Sequence, residues 1–243
     1  ADSYRQQLQF SPLLSSLGYA VTGTDGGALL ISGNSNLVYL VTGGEGSYPS
    51  SIADYPALDA YKAVVLDSGK SLNVALSGAP DNGEGLHVRN LVGLEGSSLR
   101  VTNSDMTENA IVILDNAVLN PELDSGVTDP ARVGTDTIMG GSIIGGEAVT
   151  FIKEGTGTLT VGGTMDVETL ALREGTIVLN GASNTLDALT LEGGGLTING
   201  NAEVGTITGT EAGGTLIIQG TLNLTGTGEI NDGSITGTGT LRI

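Results

Sequence analysis

Hydrophobic and small polar residues alternate in short runs along this chain, and glycine separates the runs. One phrase, Gly-Thr-Leu/Ile followed by alternating apolar positions, returns so that its strands begin at Leu159, Ile177, Leu196 and Leu216. A second apolar series begins at Leu170, Leu189 and Ile207. Strict alternation over four to eight residues indicates β-strands that bury one face. Both series repeat after 18 to 20 residues, so each repeat holds at least two strands.

A repeat of this size predicts a parallel β-helix. Two or three short strands cannot bury their own apolar face, whereas a coil stacks each leucine on the leucine one turn below. Glycine then marks the corners. An antiparallel β-sandwich is the competing fold, with hairpins every 8–12 residues. The dipeptides Asn180-Gly181 and Asn199-Gly200 lie at equivalent points of the repeat, which favours corners of a coil over unrelated hairpins.

The pattern divides the chain into three parts. Residues 1–61 contain all six tyrosines, and Ser11-Pro12 with Gly18 bounds a short predicted helix at 12–17; we expect this part to form an N-terminal cap. Residues 62–139 form irregular turns, with one continuous strand expected at 86–92. Residues 140–243 form regular turns. Loops rich in Gly, Ser or Pro are expected at three places: 43–56, 77–85 and 120–136.

Composition narrows the class of protein. Aromatic residues are only 3% and there is no Trp, which suits a narrow aliphatic core, and no cysteine is present. The net charge of −18 repels phosphate backbones and anionic lipid, so nucleic acid is not expected as a partner. No run of 18 or more apolar residues occurs, so we expect no direct membrane insertion of this segment.

The stretch 150–182 resembles the autotransporter-associated β-strand repeat of bacterial autotransporter passenger domains. The residues that carry the resemblance are Lys153, Gly155, Gly157, Thr158, Leu159 and Val161, then Gly175, Thr176, Ile177, Val178 and Leu179. The usual Asn-Thr-Tyr-x-Gly connection is absent, and Met165-Asp166-Val167 stands in its place. The resemblance implies a right-handed β-helix, secretion, and display at the bacterial cell surface. It transfers no catalytic residue, because the repeat is structural in that family.

The expected function follows from the predicted β-helix and from the family resemblance. The first reading is a secreted or surface-displayed structural or adhesive β-helix, a passenger or stalk segment without catalysis, which a virulence role would suit. The alternative is a polysaccharide-binding or polysaccharide-cleaving protein that uses the three loops. The expected partners are a host or bacterial surface glycan or protein, or further copies associated end to end or side by side. The chain stops within a strand, at 241–243, and we expect it to be part of a longer protein.

Four residues are candidates for ligand binding. Tyr48 and Tyr55 lie in a Pro-bearing loop, and tyrosine rings serve as anchors for ligands, although they also suit a cap. His87 and Arg89 share the outer face of their predicted strand, with Arg100 expected near them one turn later. One histidine without a nucleophile offers no catalytic triad. No catalytic or metal-binding residue is assigned and no cofactor is expected, although the acidic loops keep calcium as a candidate.

Overall fold

The computed structural model of the chain is an all-β parallel solenoid. It describes residues 19–21, 28–31, 33, 35–40, 63–77, 86–88, 90–103, 109–115, 136–210 and 213–243. Within these ranges every regular element is a strand, and the strands stack in register. The helix expected at 12–17 lies outside the described residues, as does most of the N-terminal cap. The handedness implied by the family resemblance stays a prediction.

Sheet A receives one short strand from each turn. Its parallel strands follow one another in chain order, and β1 alone among the described strands pairs antiparallel, with β2. In stacking order the strands are β1 (Tyr19–Val21), β2 (Ala28–Ile31), β4 (Ala63–Leu66), β7 (Leu91–Gly93), β10 (Asp136–Met139), β13 (Thr158–Val161), β15 (Thr176–Leu179), β17 (Gly195–Ile198), β19 (Thr215–Ile218) and β22 (Ser234–Thr236).

Sheet B receives the longer part of each turn, either as one long strand or as two short ones. The long strands are β14 (Met165–Leu172), β16 (Asn184–Leu191) and β18 (Asn201–Gly209). The remaining strands of this sheet are β3 (Ser35–Leu40), β5 (Ser71–Ser77), β6 (Leu86–Val88), β8 (Ser98–Asn103), β9 (Ala110–Leu114), β11 (Ser142–Gly145), β12 (Val149–Lys153), β20 (Thr221–Leu224), β21 (Gly228–Ile230) and β23 (Thr240–Arg242).

The register confirms both apolar series of the sequence. In sheet A, Leu159 pairs with Ile177, Ile177 with Leu196, and Leu196 with Leu216. In sheet B, Leu170 pairs with Leu189, and Leu189 with Ile207. These side chains are buried and belong to a single apolar core that runs between the two sheets. A one-residue slip would turn every buried leucine outward, so the alternation fixes the stacking.

The strand bounds decide one expectation about the turns, and a side-chain hydrogen bond decides another. The predicted strand at 86–92 is wrong as one element: β6 ends at Val88 in sheet B, and β7 begins at Leu91 in sheet A. The chain changes sheets there, because Leu86–Val88 and Leu91–Gly93 are two separate short strands. The Asn-Gly dipeptides do occupy equivalent corners, because the Asn199 side chain donates a hydrogen bond to Oδ1 of Asn180 over 2.8 Å.

Candidate functional site

The residues that sequence reasoning favoured for binding are not brought together in the described part of the chain. Tyr48, Tyr55 and Arg89 lie outside the described residues, and so does nearly all of the three predicted loops. His87 lies in β6, where its backbone is in register with Ile113. Arg100 does not follow it: Arg100 lies in β8, in register with Asn73 and Ile144.

Polar side chains at the corners form hydrogen bonds with backbone groups. Asn184 is 2% exposed, and its Oδ1 accepts a hydrogen bond from the Met165 amide over 3.0 Å. Its Nδ2 donates to the carbonyl oxygens of Gly181 (2.9 Å) and Asn201 (2.7 Å). One asparagine therefore joins three successive turns where the chain passes from sheet A to sheet B. A buried side-chain amide of this kind stabilises the folded chain, because each buried backbone group left without a hydrogen bond would cost free energy.

Lys153 holds the opposite corner in the same way. The Nζ of this fully buried lysine donates to the carbonyl oxygens of Glu154 (2.6 Å), Gly155 (2.6 Å) and Asp115 (2.9 Å). Burial lowers the pKa of Lys153 to about 8, against the opposing attraction of the nearby carboxylates of Asp115, Glu174 and Glu154. In the sequence alone, Lys153 is recognisable only as a residue of the repeat motif. Its role at the corner can be recognised only when the strand register is known, and the sequence pattern does not show that register.

An exposed ion-pair ladder lies above Lys153 on the same corner. Arg173 donates from one guanidinium nitrogen to Glu154 (2.6 Å) and from another to Glu192 (3.0 Å), so it joins the turns below and above its own. The hydrogen bond to Glu154 is the main reason that the pKa of Arg173 lies above its ordinary value. All three side chains are at least one-third exposed, so the ladder adds little stability. Its one guanidinium is paired with both carboxylates.

The outer face of sheet B carries a different kind of polar surface, an open groove of about 550 Å³. One of its columns crosses four successive strands on the sheet face and consists of Thr185, Glu203, Asn223 and Arg242. A second column lies at the corner and includes Asn201 and Thr221. We call this surface the face groove. Neighbouring positions along a column are one strand spacing apart, about 4.8 Å.

The side chains of the face column have no partner among the described residues. Within the described part of the chain, no hydrogen bond or ion pair engages the side chains of Thr185, Glu203, Asn223 or Arg242. Glu203 and Arg242 do not pair with each other because Asn223 stands between them, which separates them by two strand spacings, roughly 10 Å. Beneath the column, Ala202 and Leu222 are buried in the core. The groove thus presents donors and acceptors without partners among the described residues, above a buried apolar floor.

Sequence reasoning missed this groove. It directed attention away from the regular turns because the repeated phrase there is structural. The signal was present in the outward positions of the sheet B strands, where Glu203, Asn223 and Arg242 recur at steps of 20 and 19 residues. That signal becomes readable only when the register of β18, β20 and β23 is known.

Other kinds of site are not found in the described ranges. There, no three His, Asp or Glu side chains converge in a way that would hold a metal ion. None of the described residues forms a helix long and apolar enough to cross a membrane. No protein-family model, curated protein or solved structure matches this chain. Inferences about its function therefore rest on the residues and their geometry.

Proposed function

We propose that this chain is a non-catalytic structural segment of a protein displayed at a bacterial surface, where it serves as a stalk or an adhesive module. One observation carries the proposal: the core ladder Leu159, Ile177, Leu196 and Leu216 is buried in unbroken register. Each turn of such a coil contacts only its neighbours, so turns add length without changing the cross-section. A rod that lengthens in this way is suited to holding a binding surface at a distance from the cell.

Two features of the sequence support an extracellular location. The resemblance of residues 150–182 to the autotransporter-associated repeat is one, and Lys153, Gly155 and Gly175 are among the residues that carry it. The other is the strongly acidic balance of 27 Asp and Glu against nine Lys and Arg, which keeps a long surface soluble and discourages non-specific association. Neither feature names a receptor.

The second candidate function is polysaccharide binding, and the face groove favours it. The groove holds one carboxylate, that of Glu203, among its lining residues. Hydrolysis of a glycosidic bond commonly uses two carboxyl groups that flank it. The groove therefore favours binding over cleavage, and it differs from the loops that the sequence suggested for this role.

The location can be tested on the organism that produces the chain. Intact cells are treated with a protease that cannot enter them, and the protein is detected with an antibody raised against residues 136–243. We expect the signal on untreated intact cells and its loss after protease treatment. Detection only after the cells are broken, with full protection from protease before that, would reject surface display.

A further inference from the structure

We propose that the face groove binds a neutral polysaccharide chain that runs along the solenoid axis, across β16, β18, β20 and β23. The proposal rests on the proposed function, because it gives the adhesive module a ligand class. It starts from the contrast between the corner residues and the face column. The side-chain amide of Asn184 makes hydrogen bonds to three backbone groups. The side-chain amide of Asn223 makes no hydrogen bond to the described residues.

The chemistry of the face column suits hydroxyl groups. The Glu203 carboxylate only accepts hydrogen bonds, the Arg242 guanidinium only donates them, and Asn223 between them does both. Thr185 and Thr221 add hydroxyls that donate and accept. A sugar hydroxyl also donates and accepts, so a polyhydroxylated chain can satisfy each of these groups in turn. Satisfying a carboxylate and a guanidinium gives charge-assisted hydrogen bonds, which are stronger than neutral ones.

Charge decides between neutral and acidic sugars. The chain carries a net charge of −18, and the groove itself contains one acidic and one basic side chain. A uronic-acid polymer would gain the attraction of Arg242 but would meet Glu203 and the acidic field of the whole protein. A neutral polymer meets neither repulsion. Nucleic acid is disfavoured by the same field.

The geometry favours a chain over a single sugar. Four strands contribute one face residue each at about 4.8 Å intervals, so the donors and acceptors form a line about three spacings long. Backbone groups of β18 and β20 are already paired with neighbouring strands on both sides, so an incoming peptide strand cannot pair with these two strands. The buried side chains of Ala202 and Leu222 form the floor beneath this line. An evenly spaced line of polar groups matches an extended polyol better than a single sugar.

The experiment measures binding of the purified full chain to polysaccharides by affinity gel electrophoresis and by calorimetry. The probes are dextran, β-glucan and mannan as neutral polymers, and polygalacturonate as an acidic one. We expect at least one neutral polymer to bind, with an affinity that high salt leaves within about twofold because the ligand carries no charge. Glu203→Ala and Asn223→Ala are each expected to weaken binding about tenfold. The first variant loses one charge-assisted hydrogen bond to the ligand, and the second loses two neutral ones.

Matched controls lie elsewhere on the same solenoid. Asp187→Ala removes an exposed carboxylate of β16 outside the groove, and Arg100→Ala removes an exposed arginine that occupies the same column several turns away. Both should bind as the unchanged protein does. Circular dichroism and the thermal midpoint confirm that each variant is folded, and Glu203→Gln, which keeps the shape and a carbonyl acceptor, should retain part of the affinity.

Three results would overturn the inference: no binding to any of the neutral polymers, unchanged binding in the Glu203→Ala/Asn223→Ala double variant, or a clear preference for polygalacturonate. These outcomes are separate from a failure of the proposed function. A protein found on the cell surface that binds no neutral polymer would keep the proposed location and lose the ligand. A protein that binds dextran but is found only inside cells would keep the groove and lose the proposed location.

Discussion

Lys153 stands directly opposite Leu172 in the parallel ladder of sheet B. The same inward column contains Leu114 one turn before Lys153 and Leu191 one turn after Leu172. A lysine therefore occupies a leucine position, and its stem packs in the core while its ammonium reaches three carbonyl oxygens at the corner. A single buried polar group of this kind can specify register, because a slip would leave both the ammonium and the carbonyls unsatisfied.

The first prediction concerns the removal of that ammonium. Lys153→Met keeps an unbranched apolar stem but leaves the carbonyls of Asp115, Glu154 and Gly155 without this donor. The variant no longer desolvates a charge, which offsets part of the loss, so we expect a net destabilisation of about 1–3 kcal/mol. Denaturant unfolding followed by circular dichroism measures it. Lys70→Met, at a half-exposed corner, is the control and should change stability by less than about 0.5 kcal/mol. A Lys153→Met variant as stable as the parent would contradict the role given to the ammonium.

The second prediction is a pH dependence with a defined sign. The pKa of Lys153 is lowered by burial to about 8 in the folded chain, from 10.5 in an exposed lysine. Between these two values the folded state has released a proton that the unfolded state still holds, so stability rises with pH in this window. The free energy of unfolding of the parent minus that of Lys153→Met should increase by about 1 kcal/mol per pH unit from pH 8 towards pH 10, and stay level below pH 8. A difference that falls over this window would show that the ammonium is favoured, not penalised, by folding.

The third prediction concerns the asparagine at the other corner. Asn184→Ala removes one acceptor and two donors, so the Met165 amide loses its side-chain acceptor and the carbonyls of Gly181 and Asn201 each lose one donor. The Gly181 carbonyl keeps the Asn201 amide at 3.3 Å. We expect a loss of about 2–4 kcal/mol in the free energy of unfolding. Asn199→Ala breaks only an exposed side-chain hydrogen bond to Asn180 and should cost less than about 1 kcal/mol. Equal costs for the two variants would mean that burial does not set the value of these hydrogen bonds.

The fourth prediction uses two glycines with the same backbone angle. Gly175 and Gly69 both have φ of +65°, but a Cβ on Gly175 would collide with the carbonyl oxygens of Gly155 and Gly157, whereas a Cβ on Gly69 meets nothing within 4 Å. Gly69→Ala should cost only the left-handed conformation, about 1–2 kcal/mol. Gly175→Ala should cost more than about 3 kcal/mol, because the corner must also open. Thermal unfolding of both variants measures the difference. Equal midpoints would contradict the close packing of Gly175 against the carbonyl oxygens of Gly155 and Gly157.

Much of the fold could be predicted from the sequence because its period is carried by single residues. Leu159, Ile177, Leu196 and Leu216 recur at nearly equal steps, and only a coil brings such residues into one buried ladder. The irregular part was harder. Leu86 to Val92 is apolar enough to look like one strand, and periodicity cannot show that the chain turns from sheet B into sheet A after Val88.

The candidate site could not be predicted in the same way. Glu203, Asn223 and Arg242 have no shared residue type and no motif, so only their register reveals a common column. Lys153 was visible as part of a repeated phrase, but its three carbonyl partners come from two different turns. Tyr48 and Tyr55, which composition favoured, lie outside the described residues and stay predictions.

The most direct test of the central claim, a surface solenoid that holds a ligand without catalysis, is a reducing-end assay on the purified full chain. The chain is incubated with dextran, β-glucan, mannan and polygalacturonate, and new reducing ends are counted over time against a heat-unfolded sample. We predict no increase over that sample for any polymer. A steady release of reducing ends that is abolished by Glu203→Gln would contradict the account and make the face groove a catalytic site.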